Sequence, residues 1–182
     1  MGSYSALYFS DVKALPEQGE ISDDSPYLQA RSHLPLLWLA LFCPEDIVDV
    51  PDPDEPANPW PYLVAHRTKT MATLAARREL LTLRFPAMNP DWFDQFAVVL
   101  EQAPSEFVHL DTVEIMVGAG PEWRQTLETL LGMFEDDASR AQAGWRQFNS
   151  GYSGPYEGES ATRPWTYCGG SAGSPMPWDP AE

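Results

Sequence analysis

His109 and Asp111, in the stretch FVHLDTVEIMV, form an H-x-D pair that a β-strand would turn to one side. Two ligands do not make a metal site, and such a pair on an ordinary half-exposed strand is the simpler reading. The other histidines, His33 and His66, lie far off in sequence, and none of the three has the i, i+4 or C-x-x-C neighbourhood of a metal centre. Cys168, in TYCGGSAG, has glycines that would expose a thiolate but no nearby His or Lys to lower its pKa, so it reads as a plain tail cysteine. The stretch MVGAGPEW resembles a nucleotide-binding turn, yet Trp123 stands where a third glycine is needed, and Glu122 would set a negative charge where a phosphate must sit. No G-x-S-x-G, H-E-x-x-H or Walker sequence occurs. With 27 carboxylates some fold-dependent pair for acid–base work stays open. No catalytic residue, metal ligand or cofactor is assigned.

The stretch PEDIVDVPDPDEPANPWP, Pro44 to Pro61, is of another kind. It holds six prolines and six carboxylates with no Lys, Arg or His. Proline restricts φ and the carboxylates repel one another, so the segment is stiff, extended and negative. Trp60 and Tyr62 stand at its downstream end. A rigid acidic rim beside aromatics suits a basic protein surface, since stiffness lowers the ordering cost and aromatics anchor well. The expected partner-binding residues are Asp46, Asp49, Asp52, Asp54, Glu55 and Trp60. The plainer alternative is a solvated loop whose Trp60 packs on the core.

The whole chain agrees with that polarity. Its 182 residues carry a formal net charge of −16, and the acid lies toward both ends: residues 1 to 60 sum to −9, residues 61 to 103 to +1, and residues 104 to 182 to −8. Such a field disfavours nucleic acid and anionic membranes and favours basic proteins, although acidity also serves simply to keep a protein dispersed. Hydrophobic residues at 43% and seven Trp support a real core. Two distant cysteines point to a reducing compartment, and the expected location is cytoplasmic. The longest apolar run, LPLLWLALF, is far shorter than the roughly 20 residues that span a bilayer.

Those residues have to be held by an α+β domain, mainly helical, with a small sheet over residues 3 to 10 and 106 to 117. LPLLWLALF predicts a buried helix from about Pro35 that Pro44 ends. TKTMATLAARRELLTLRF predicts an amphipathic helix with Met71, Leu74, Ala75, Leu81 and Phe85 inward and Arg77, Arg78 and Arg84 outward. Asn89-Pro90-Asp91 caps the next helix. In FVHLDTVEIMV the alternation breaks after Leu110, which predicts a bulged strand or, alternatively, a helix capped by Asp111 with Glu114. Trp123, Leu127, Leu130, Leu131 and Phe134 fall on one helical face, and a shorter helix is expected across Ala138 to Phe148. The division is a globular domain over residues 1–148 and a Gly/Pro/Ser-rich tail over 149–182, extended but docked on the body through its aromatics.

The opening SYSALYF, the later LPLLWLALF, and FVHLDTVEIM ahead of ETLLGMF resemble a loosely defined family of bacterial immunity proteins from polymorphic toxin systems. The resemblance spans residues 1 to 135. It implies a small cytoplasmic α+β protein that protects its own cell by plugging the active site of a toxin, a nuclease for example. An enzyme of another family and an accessory protein without a toxin partner are the alternatives.

Overall fold

The computed structural model describes residues 4–16, 21, 25–51, 59–116, 122–135, 162–171 and 175–179. Its centre is a six-stranded antiparallel sheet in the order β3-β4-β5-β1-β2-β6. The strands are β1 (Tyr4–Ser10), β2 (Leu28–Arg31), β3 (Ile47–Val50), β4 (Trp60–His66), β5 (Phe107–Asp111) and β6 (Gly170–Ser171). The helices are α1 (Leu36–Leu39), α2 (Arg67–Arg84), α3 (Pro90–Gln102), α4 (Val113–Met116), α5 (Trp123–Gly132) and α6 (Pro164–Cys168). The expectation of a mainly helical domain with a small sheet is therefore corrected, because four strands join the two that were anticipated. Among the described residues no helix is long and apolar enough to cross a membrane.

The sheet has two unlike faces. Leu7, Phe9, Leu28, Ala30, Ile47, Leu63, Ala65, Val108 and Leu110 meet the helix layer in the main core. Alternate residues, Ala6, Tyr8, Tyr62 and Val64, form a second, smaller cluster on the other face. Because β1 and β4 are buried on both faces, they lack the polar alternation that marks a one-sided strand.

LPLLWLALF is wholly buried, but only Leu36–Leu39 is helical, after Pro35. The chain then tightens, with Leu41 and Phe42 donating three residues back, and a 3-10 turn at Pro44–Asp46 leads into β3. That leaves the carbonyls of Ala40 and Phe42, just past α1, to satisfy. Arg77, expected on the outer side of α2, turns inward at i+7 from Thr70 and i+3 from Leu74 and is 6% exposed. Its Nη1 donates to Ala40 O at 3.0 Å and Phe42 O at 2.7 Å, and the guanidinium lies 4.6 Å from the Phe134 ring centre.

α2 does the same elsewhere. Arg67 donates to Ser105 O at 3.0 Å and Glu101 O at 2.9 Å, closing the end of α3, while Arg84 donates to Met133 O at 3.1 Å just past α5. Cations at helix C-termini satisfy orphan carbonyls and oppose the negative end of the dipole. Asn89 accepts the Asp91 N–H at 3.0 Å and opens α3, as its sequence predicts.

The strand expected over 106 to 117 stops at Asp111. Asp111 Oδ1 accepts the Val113 N–H at 2.9 Å and the chain turns into α4, so a side-chain-closed turn rather than a bulge breaks the alternation. The segment expected to hold little regular structure contributes α6, packed on α1 and α3, and β6, paired with β2. Two indoles hold consecutive carbonyls there: Trp38 Nε1 donates to Cys168 O at 2.8 Å and Trp178 Nε1 to Gly169 O at 2.9 Å. Gly169 has φ 71°, and a Cβ on it would stand 2.2 Å from the Trp38 ring. The expected helix over Ala138 to Phe148 lies outside the described residues.

Two outcomes test this packing. Arg77→Met keeps an apolar stem and removes the donors, so the carbonyls of Ala40 and Phe42 are left buried; it should lower stability by about 2 to 5 kcal/mol in denaturant titration. Gly169→Ala combines left-handed backbone with a ring clash and should cost at least about 1 kcal/mol in a thermal melt. An unchanged transition in either case contradicts the contacts.

Candidate protein-binding surface

The acidic segment is divided by the fold. Pro44–Asp46 is the 3-10 turn and Ile47–Val50 is β3 at the edge of the sheet. Val50 pairs with Trp60, so the residues between them close a hairpin at that corner. Asp52, Asp54 and Glu55 belong to this connection and lie outside the described residues.

The described carboxylates of this segment each face a cation from another element. Asp46 is buried; its Oδ2 accepts the Cys43 N–H at 2.8 Å and its Oδ1 lies 2.6 Å from Lys69 Nζ. Asp49 is exposed and lies 2.6 Å from Arg124 Nη1 on α5, whose Nε also meets Glu128 at 3.0 Å. Both were expected to face a partner. Sequence alone shows no cation in this segment because Lys69 and Arg124 arrive from α2 and α5. Trp60 is half-buried and, by strand alternation with Tyr62, lies on the face away from the main helix layer.

The edge itself is guarded against strand addition. Pro61 opposes Asp49, and its carbonyl accepts from Thr112 Oγ1 at 3.4 Å, on the β5 side. The Asp49–Pro61 pair is thus a non-hydrogen-bonded one, and the Asp49 N–H and C=O point away from the sheet. On either side of Asp49, the Ile47 N–H is taken by Pro44 O and Pro51 has none. A short edge with an interrupted donor row and a charge is a poor template for another strand.

Cys43 Sγ and carboxylate oxygens of Glu45 and Glu135 lie within 4.8 Å of one another. Each already faces a cation: Arg77 is 3.5 Å from the sulfur and 3.7 Å from Glu135, and Lys69 is 3.1 Å from Glu45. An arriving metal would have to displace them. Burial pushes the Cys43 thiol up despite Arg77. Cys168 is wholly buried, which raises its thiol well above the ordinary range.

His109 and Asp111 do share a face, with separate roles. His109 is fully buried, stacked on Tyr8 at 5.2 Å, and its Nε2–H donates to Val12 O at 2.9 Å, which leaves Nδ1 bare. The Tyr8 and Tyr62 hydroxyls are hydrogen-bonded to each other, and burial pushes Tyr8 up to about 12 and Tyr62 further. Tyr27 stacks on the outer side of Tyr8 at 5.9 Å. The cluster is built for packing and holds its ionisable groups neutral. The nucleotide-like turn at residues 117–121 lies outside the described residues. No family model, curated protein or solved structure matches the chain.

Burial holds the His109 imidazole down at about 4, against 6.5 for an ordinary histidine. Between those values the unfolded chain takes up a proton that the folded one refuses. The stabilisation is therefore present above pH 6.5 and lost as pH falls toward 4; His33 is lowered by burial too and acts in the same direction. In urea titrations across that window, His109→Phe should flatten the acid-side loss by on the order of 3 kcal/mol relative to the native chain. Parallel curves for the two proteins contradict this placement.

Proposed function

We propose that the protein is a stoichiometric binder of a basic protein, acting as an immunity protein that neutralises a toxin domain. The observation that carries this reading is where the cations are. Arg67, Lys69, Arg77, Arg78, Arg84 and Arg124 are all engaged within the fold, against carbonyls or carboxylates of other elements. The chain holds 27 carboxylates against 11 Lys and Arg, so its net field is acidic. A field of this sign speeds the encounter with a basic surface and repels polyanions.

The hairpin connection carrying Asp52, Asp54 and Glu55 is the favoured contact, because its two ends are fixed by the Val50–Trp60 pair and its sequence holds four prolines from Pro51 to Pro59. Asp49 and Trp60 flank it. Asp46 supports the turn beneath and contributes through structure. The guarded edge of β3 favours docking through side chains over strand addition.

The test is capture from the native cell lysate at low salt, with the triple variant Asp52→Asn, Asp54→Asn, Glu55→Gln as control. A basic protein should be retained in one-to-one complex by the native chain and lost with the variant. Equal retention by both, or capture of no basic protein, overturns the reading.

A further inference from the structure

Helix α2 begins against its own dipole. The positive end of a helix ordinarily gathers acids, as α3 does with Asp91, yet the first turn of α2 holds no acid and carries Arg67 and Lys69. Ser, Thr, Asp and Asn are the preferred N-caps, and α2 uses His66 instead. The exposed ring accepts the Thr68 N–H at 3.3 Å through Nδ1, and the same nitrogen lies 2.7 Å from Thr68 Oγ1. Such a cap exists only while that nitrogen keeps its lone pair.

The turn that His66 caps carries links to three other elements. Arg67 donates to the carbonyls of Ser105 and Glu101 past and within the end of α3, and its backbone N–H donates to Glu106 O at 2.7 Å beside β5. Lys69 sits between Glu45 and Asp46 in the turn that leads into β3. These partners hold two cations in place where the dipole opposes them. Glu45 is kept below the ordinary carboxylate range, first by its own backbone N–H and then by Lys69, so mild acid leaves that pair charged.

The surroundings of the ring contain no such partner. Phe107, opposite His66 on β5, meets it edge-on at 5.5 Å. The charged groups in the adjoining rows are Arg67 and Lys69 on α2, Glu106 at the start of β5, and Asp11 just past β1, whose Oδ1 accepts the Glu106 N–H at 3.0 Å. Among the described residues none of these carboxylates pairs with His66. Histidine is the side chain whose charge ordinarily changes between about pH 5 and 8. On protonation Nδ1 turns from acceptor to donor. The Thr68 hydroxyl can reverse with it, but a backbone N–H cannot, so the cap is lost and a third cation joins Arg67 and Lys69 at the positive end of the dipole.

We propose that His66 is an acid-released latch on the first turn of α2: protonation opens that turn and loosens the ties that Arg67 and Lys69 make to α3 and to the turn beneath β3. The device is local, whereas the burial of His109 acts on the whole fold, and it stands whether or not the partner is a basic protein.

The test is amide hydrogen exchange of the full chain, followed by NMR and corrected for the intrinsic pH dependence of exchange. From about pH 7.5 to about pH 5.5, protection at Arg67, Thr68 and Thr70 should fall by at least ~5-fold. His66→Asn keeps an acceptor for the Thr68 N–H and does not titrate, so the same amides should hold their protection across that interval. His66→Ala removes the acceptor, and at about pH 7.5 it should already show the weak protection that the native chain reaches in acid. Constant protection in the native chain, an equal fall in His66→Asn, or native protection in His66→Ala overturns the proposal.

Discussion

Guanidinium groups from a single helix close the ends of three others. Arg67, Arg77 and Arg84 lie along α2 and donate to carbonyls at the ends of α3, α1 and α5 respectively. From the same helix, Lys69 holds Asp46 under β3, and Arg78 holds Asp94 on α3. The helix layer depends on this arrangement, because the Ala40 and Phe42 carbonyls that follow the single turn of α1 are buried and take their donors from Arg77. It also explains the charge profile, in which the mid-chain segment alone is not acidic. The cations of α2 are concentrated where the fold needs donors, and the excess of 27 carboxylates over 11 Lys and Arg leaves the chain acidic.

How much of this was legible depended on whether a residue's role was local. Asn89-Pro90-Asp91 capped α3 as read, and Trp123, Leu127, Leu130 and Leu131 are buried together on α5, because caps and one-sided helices are written in short-range spacing. Spacing sets Arg77 outward, because a charged residue at a core-facing position is intelligible only with the Ala40 and Phe42 carbonyls in view. WPYLVAH escaped notice as a strand because both of its faces are covered, which removes the alternation. In sequence IVDV is part of a proline-rich acidic run. Its strand character depends on β4 beside it, and β6 is two residues whose order comes from β2. The tail's aromatics were a fair signal: Tyr167 and Trp178 are buried, and Trp178 bonds Gly169 O.

The candidate surface was legible as composition and illegible as geometry. Counting carboxylates from Pro44 to Pro61 found an acidic corner, but Asp46 and Asp49 are neutralised by Lys69 and Arg124, which are distant in sequence. In contrast, Asp111, half of an H-x-D pair in the sequence, closes the turn from β5 into α4 by accepting the Val113 N–H. Its partner His109 does separate work, tying the Val12 segment to the sheet. The difference arises because the partners of a charge are set by the fold around a residue.

The central claim is the proposal that the field of the chain's excess carboxylates recruits a basic protein. Its most direct measurement is the association rate of the purified pair in stopped flow as sodium chloride rises from low to well above physiological concentration. Surface charges are screened beyond a Debye length of about 8 Å at physiological salt, so steering by this field predicts a steep fall in that rate with a smaller change in dissociation. An association rate independent of salt would contradict the account.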